Sequence, residues 1–170
     1  MNRLKLTITL CLLMQMPLSI AQTCISTIIA DAPTSRYTLN ANGTLVDKKT
    51  ALTWMRCALG QTWANGFCGG TGTTYSWQNA LLAADSTVFA GKADWRLPNI
   101  KELQSIVENR CYSPAINLTA FPNADSSWFW SSSPYAINSN YAWIVNFYYG
   151  DGNYGYKNYD YGVRLVRGGQ

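Results

Sequence analysis

The cysteines constrain this sequence more than any other feature. Of five in the chain, Cys11 lies in an apolar amino-terminal run, while Cys24, Cys57, Cys68 and Cys111 form an even set. The run, Leu6 to Met16, follows a short basic start with Arg3 and Lys5, is broken by Pro17 and closes on Ser19-Ile20-Ala21. That is the layout of a secretory signal peptide over residues 1–21, cut after Ala21. Cleavage takes Cys11 away and delivers the remaining four to an oxidising compartment, where they pair. The expected location is secreted, periplasmic or cell surface. Sequence leaves the connectivity open; the favoured arrangement joins Cys57 to Cys68 across a Gly- and Asn-containing loop and Cys24 to Cys111. A zinc site is disfavoured, because there is no Cys-x-x-Cys and the chain holds no histidine. No cofactor or metal is expected.

About 150 residues follow the signal, enough for one domain with a proper core. The chain carries 13 basic and 9 acidic residues, and two of the basic ones, Arg3 and Lys5, leave with the signal. The remaining cations are scattered, so neither nucleic acid nor an anionic membrane is an expected partner, and no further segment is long and apolar enough to span a bilayer.

Residues 22–39 are Thr- and Ser-rich and read as a loosely ordered lead-in to a domain over residues 40–170. Gly43 to Asp47 and Ala51 to Arg56 read as strands joined by a Lys48-Lys49-Thr50 turn. A Gly/Thr loop from Gly60 to Thr74 follows. Ser76 then caps a helix whose Trp77, Ala80, Leu81 and Ala84 share one face. A second helix follows Pro98, with Asn99 as cap, Glu102 three residues on as in a capping box, and Ile100, Leu103 and Val107 as its apolar stripe, ending near Asn109 to Cys111. From Tyr112 to Gly162 only Asp125, Asp151, Lys157 and Asp160 are charged, and aromatic residues crowd in. Ala142 to Phe147 and Val163 to Arg167 read as strands with a hairpin or loop between them. The pattern is α+β, with two helices and a mostly antiparallel, twisted sheet.

Four blocks are more specific: Trp54-Met55-Arg56-Cys57, Asp94 through Leu103 (DWRLPNIKEL), Phe129-Trp130-Ser131-Ser132-Ser133, and Val163-Arg164-Leu165-Val166-Arg167. They resemble the bacterial DUF1566 domain, also found at the carboxyl end of a collagen-like adhesin of Legionella. The resemblance covers nearly all of the chain beyond the signal. It implies a C-type-lectin-like fold, close to the formylglycine-generating-enzyme type, and, from the adhesin members, binding of polysaccharides such as glycosaminoglycans. The chemistry of formylglycine-generating enzymes does not carry over, because it uses cysteines near the carboxyl end and none follows Cys111 here. Nor do the calcium-dependent sugar motifs of lectins: Phe121-Pro122-Asn123 has no acidic partner and Trp-Asn-Asp is missing.

Enzymatic readings lack side chains. Without histidine there is no Ser-His-Asp or Cys-His arrangement, and nothing in the sequence brings two of Asp94, Glu102, Asp151 and Asp160 together as a carboxylate pair. Asp94 and Arg96 read instead as an ion-paired turn before the second helix. The loop from Asp151 begins like a calcium loop and fails at Gly155 and Tyr156.

The candidate ligand-binding residues are Tyr148, Tyr149, Asp151, Asn153, Tyr154, Tyr156, Asn158, Tyr159, Asp160 and Tyr161. Tyrosine gives a large contact area at small conformational entropy, and Asn and Gly supply adaptable hydrogen bonding, the composition of antibody binding loops. The plainer alternative is a sheet surface whose tyrosines pair across strands. Expected, then, is an exported, non-enzymatic recognition domain for a glycan or protein. A structural module of the cell envelope and a carboxylate-dependent polysaccharide hydrolase are the alternatives. The Tyr148 to Tyr161 stretch also resembles a cassette of adenine-rich codons of the kind that retroelements diversify.

Overall fold

The computed structural model describes residues 22–168; the expected signal peptide lies outside them. Strand β1 (Thr23–Cys24) and a 3-10 turn (Thr34–Arg36) precede β2 (Tyr37–Leu39), β3 (Thr44–Asp47) and β4 (Thr53–Met55). A small hairpin of β5 (Thr62–Ala64) and β6 (Phe67–Gly69) leads through β7 (Thr74–Tyr75) into α1 (Trp77–Asp85) and then α2 (Ile100–Ser105). The rest is β8 (Cys111–Tyr112), β9 (Trp128–Pro134), β10 (Tyr141–Asn146), β11 (Gly152–Tyr156), β12 (Tyr161–Gly162) and β13 (Val166–Arg167). The chain is thus α+β, as expected, and its pairings are antiparallel except β12 beside β9.

The central sheet, in the order β11-β10-β9-β12-β7, is buried on both faces over much of its area. One face carries Phe129 and Val145 into a cluster with Trp54, Leu45, Phe121 and, from α2, Leu103. That cluster backs onto the second sheet, β13-β4-β3-β2. The other face carries Trp130 and Ile144 into a cluster with Ala80 and Ala84 of α1 and with Trp95, Leu97 and Leu165. Alternation of side chains along a strand explains the split, since Ile144 and Val145 point opposite ways.

Both helices sit where the sequence puts them. Asn99 and Glu102 form the full capping box, each side chain bonded to the other's backbone N–H. Yet α2 stops at Ser105 rather than near Asn109, because Ile106 leaves helical geometry and Val107 pairs with Ile116 instead. Val107 remains buried, so the apolar stripe outruns the helix. Ser76 holds the cap position of α1 without a side-chain cap bond.

The lead-in is a correction. Residues 22–39 are fastened to the body rather than loose: Ala32 is fully buried, and Glu108, itself 2% exposed, accepts the backbone N–H groups of Asp31 and Ala32. Tyr37 to Leu39 form a strand against β3, and Arg36 grips the buried carboxylate of Asp47 in a two-pronged ion pair. Burial works against the charge on Asp47, but hydrogen bonds from Arg36, the Thr50 hydroxyl and the Lys49 amide outweigh it and hold its pKa below the ordinary value. Such long-range polar partners leave no local pattern in a Thr/Ser-rich stretch.

The favoured disulfides are both present. Cys24–Cys111 joins residues 87 apart and Cys57–Cys68 residues 11 apart. In the chain-entropy picture they contribute about 4–5 and about 3 kcal/mol by restricting the unfolded chain. Cys57–Cys68 also closes the Gly/Thr stretch that was expected as a loop; β5 and β6 pair within it, with Trp63 opposite Cys68.

Candidate functional site

Strands β10 and β11 form a hairpin in which Tyr141 faces Tyr156 and Trp143 faces Tyr154. These four side chains leave the same sheet face as Val145. At the Val145 end α2 covers that face, with the Gln104 amide lying against Gly152. Beyond Gln104 the face opens, and the rings of Tyr141, Trp143, Tyr154 and Tyr156 form a shelf.

Two further rings complete it. Tyr135 stacks on Tyr154 with centroids 4.4 Å apart and planes 18° from parallel, and meets Trp143 edge-on at 5.3 Å. Its position comes from an irregular register between β9 and β10: Pro134 lies opposite Ala142 and Trp130 opposite Ile144, so Ser131 to Ser133 bulge against Trp143. The Ser131 hydroxyl donates to the Trp143 carbonyl at 2.8 Å across that bulge. Tyr159 closes the other end, 5.6 Å from Tyr156. Tyr141 and Tyr156 are the closest pair, at 4.1 Å. Hydrogen bonding to Tyr156, then burial and the neighbouring phenols, push the Tyr141 pKa up to about 12.

The candidate residues separate into three places. Tyr154, Tyr156 and Tyr159 belong to the shelf and are 44–54% exposed, and Asn158 and Asp160 are exposed on either side of Tyr159 in the chain; Asn153, also exposed, lies opposite Ile144 and leaves the other sheet face. Tyr148 and Tyr149 lie at the opposite end of the hairpin, in the turn after β10, where their rings meet at 4.4 Å beside exposed Asp151. There the Tyr148 carbonyl accepts the Ser113 N–H, and Gly150, at φ +90°, passes so close to Val107 that a side chain would collide with it. Tyr161 faces inward: its ring packs on Trp130 at 4.8 Å and covers Gly155, where an added Cβ would stand 2.6 Å from the ring. It is half-buried packing, not part of the shelf. A variable cassette over Tyr148 to Tyr161 would therefore have to spare Gly150, Gly155 and Tyr161.

Sequence reasoning missed Tyr135 and Trp143 and noted Tyr141 only as part of an aromatic-rich stretch. The signal for Tyr141 and Trp143 was present, since two positions apart on a strand means one face, opposite Tyr154 and Tyr156. Tyr135 had none, because the β9 bulge delivers it.

Of the four candidate carboxylates, Asp151 lies by the Tyr148–Tyr149 turn and Asp160 beside Tyr159, both exposed, while the other two are tied to arginines. Glu102 is held by Arg96 through two bonds of 2.8 and 2.7 Å, and Asp94 by Arg167 through two of 2.8 Å. The expected ion pairing before α2 thus exists, but Asp94 and Arg96 reach different partners. Both acids are pulled below the ordinary carboxylate range, Asp94 by its Arg167 bond and Glu102 by Arg96 against the cost of burial. The Asn123 side chain is taken up structurally, donating to the Cys68 carbonyl at 2.9 Å. Among the described residues no cluster of His, Cys, Asp or Glu is arranged to hold a metal ion, and no helix is long and apolar enough to cross a membrane.

A comparison with curated proteins returned no match. A family model does match, and it spans β3 to β13, with both helices and the whole hairpin. Residues 43–167 fit the Lcl C-terminal domain, and the chain belongs to that family.

Proposed function

We propose that this is an exported, non-enzymatic recognition domain that binds a glycan or protein through the aromatic shelf. Membership of the Lcl C-terminal family makes it adhesin-like, and the disulfides fit an oxidising compartment. The observation that carries the reading is the shelf: six rings in mutual contact on one sheet face, with Tyr154, Tyr156 and Tyr159 each 44–54% exposed. Exposed aromatic area of this extent on a small domain marks a contact surface. The rings hold each other in place, so little freedom is lost when a ligand arrives. A C-type-lectin-like fold belongs to the same reading, on the strength of the resemblance.

The non-enzymatic part rests on chemistry: no histidine, and two of the four candidate carboxylates committed to arginine. A glycan array probed with the wild-type protein and with Tyr154, Tyr156 and Tyr159 all replaced by alanine tests the site. Loss of binding in the variant is expected, and equal binding moves the site elsewhere. Concentration-dependent sedimentation that disappears in the same variant would favour an envelope assembly role. Turnover of a bound glycan that is lost in Asp151→Asn or Asp160→Asn would favour a hydrolase. Diversification of the hairpin by a retroelement requires an adenine-rich near-copy of its codons and a reverse-transcriptase gene nearby, and their absence from the genome removes that extension.

A further inference from the structure

The charges around the shelf narrow the ligand. We infer that the shelf takes an uncharged polysaccharide, laid across Tyr135, Tyr141, Trp143, Tyr154, Tyr156 and Tyr159. This rests on the recognition reading proposed above and departs from the glycosaminoglycan class that the family resemblance suggests.

A sulfated or uronate chain carries regular anions, and a surface that binds it needs cations free to replace their water. The shelf offers none. From Asn138 to Tyr161 there is one lysine against two aspartates. That lysine, Lys157, is half-buried with its ammonium 4.2 Å from the centre of the Trp77 ring. Lys101, the cation on α2, lines a separate hollow with Thr50, Leu52 and Ser105. Arg96 and Arg167 are bonded to Glu102 and Asp94. Asp160 is exposed immediately beside Tyr159 and would repel a polyanion.

What the shelf does present suits neutral sugars. Its ring centroids follow one another at 4.1–6.5 Å, steps on the scale of a pyranose, and the electron-rich ring faces attract the C–H face of a sugar. The oxygen of exposed Asn138, in the turn between Tyr135 and Tyr141, already accepts the backbone N–H of Asn140, which leaves its amide donor for hydroxyl and ring oxygens.

Affinity electrophoresis of the full exported protein through gels containing either neutral polysaccharides (a β-glucan, a mannan, a galactan) or heparin decides the matter. Retardation by a neutral polymer is expected, changing by less than about twofold when salt is raised, because no ion pairs are screened. Tyr156→Ala should weaken it about tenfold and Tyr156→Phe hardly at all, while Lys157→Ala leaves it unchanged. Heparin binding that collapses with salt and falls in Tyr156→Ala would overturn the uncharged class and leave the shelf as the site. Neutral binding indifferent to Tyr156→Ala, or retardation by neither polymer, would overturn the inference and the glycan reading of the shelf together. An unchanged melting temperature in Tyr156→Ala separates lost contact from lost fold.

Discussion

Around β2 and β3, the fully buried Asp47 takes bonds from Arg36, Thr50 and the Lys49 amide, Glu108 holds the incoming chain by two backbone amides, and a disulfide ties β1 to β8. In the β10–β11 hairpin there is no cysteine, and no ion pair among the described residues reaches it; rings pack on rings. The first region is fixed by a few strong, directional links that work because water is excluded. The second uses many weak contacts that survive partial exposure, which a contact surface requires. Strong fixation elsewhere lets the hairpin keep its rings accessible without having to form a core of its own. The division is not complete. The Tyr148–Tyr149 turn leans on Ser113, two residues after bridged Cys111, so this end of the hairpin is tied to the stapled region while the shelf end is not.

The largest expected effect comes from removing the long staple. Replacing Cys24 and Cys111 by serine should cost about 4–5 kcal/mol, seen in denaturant melts, with ligand binding by the shelf retained wherever the protein remains folded. Binding lost below the melting transition would mean the two regions form one unit.

Asp47→Asn comes next. It leaves Arg36 buried without its counter-charge and should cost about 3 kcal/mol. The same substitution alters the acid response. Because the native pKa of Asp47 lies below its unfolded value, its contribution is complete above about pH 4 and is lost as pH falls through the native pKa. Wild-type melting temperature should therefore drop more steeply below about pH 4 than that of Asp47→Asn, and parallel curves would count against the pair.

Within the hairpin, Gly155→Ala drives a methyl into the Tyr161 ring and should cost about 2 kcal/mol, with a changed near-ultraviolet circular dichroism signal from Tyr161 and Trp130. An unchanged signal would show that the ring moves freely and that the hairpin is looser than its packing suggests.

The smallest effect is at Tyr141. Its phenol should titrate near pH 12, and Tyr156→Phe should bring it back toward 10, followed by ultraviolet absorbance. With the neutral form favoured in the native state, stability falls as pH rises past about 10, where the unfolded phenol ionises. A Tyr141 value indifferent to Tyr156→Phe would break the closest contact on the shelf.

Local patterns carried far in this chain. The Asn99/Glu102 capping box, the stripe of Trp77, Ala80, Leu81 and Ala84, the strands on either side of Lys48-Lys49-Thr50 and the four family blocks were all legible, because each depends on residues within a turn or two of one another. An even cysteine set, read with an expected export signal, narrowed the bridges to a few choices. The choice itself, the anchoring of residues 22–39 and the early end of α2 depend on partners beyond the next turn of chain, such as Glu108 for Ala32, 76 residues away, and Ile116 for Val107, across the loop that follows. The same holds for the site. Composition marked an aromatic-rich stretch, but composition is blind to direction. Only the tertiary structure turned Tyr161 inward onto Trp130, sent Tyr148 and Tyr149 to the far end of the hairpin, and brought Tyr135 over Tyr154 through a bulge in β9. Which face a ring takes is set by strand register, and register is a property of two strands at once.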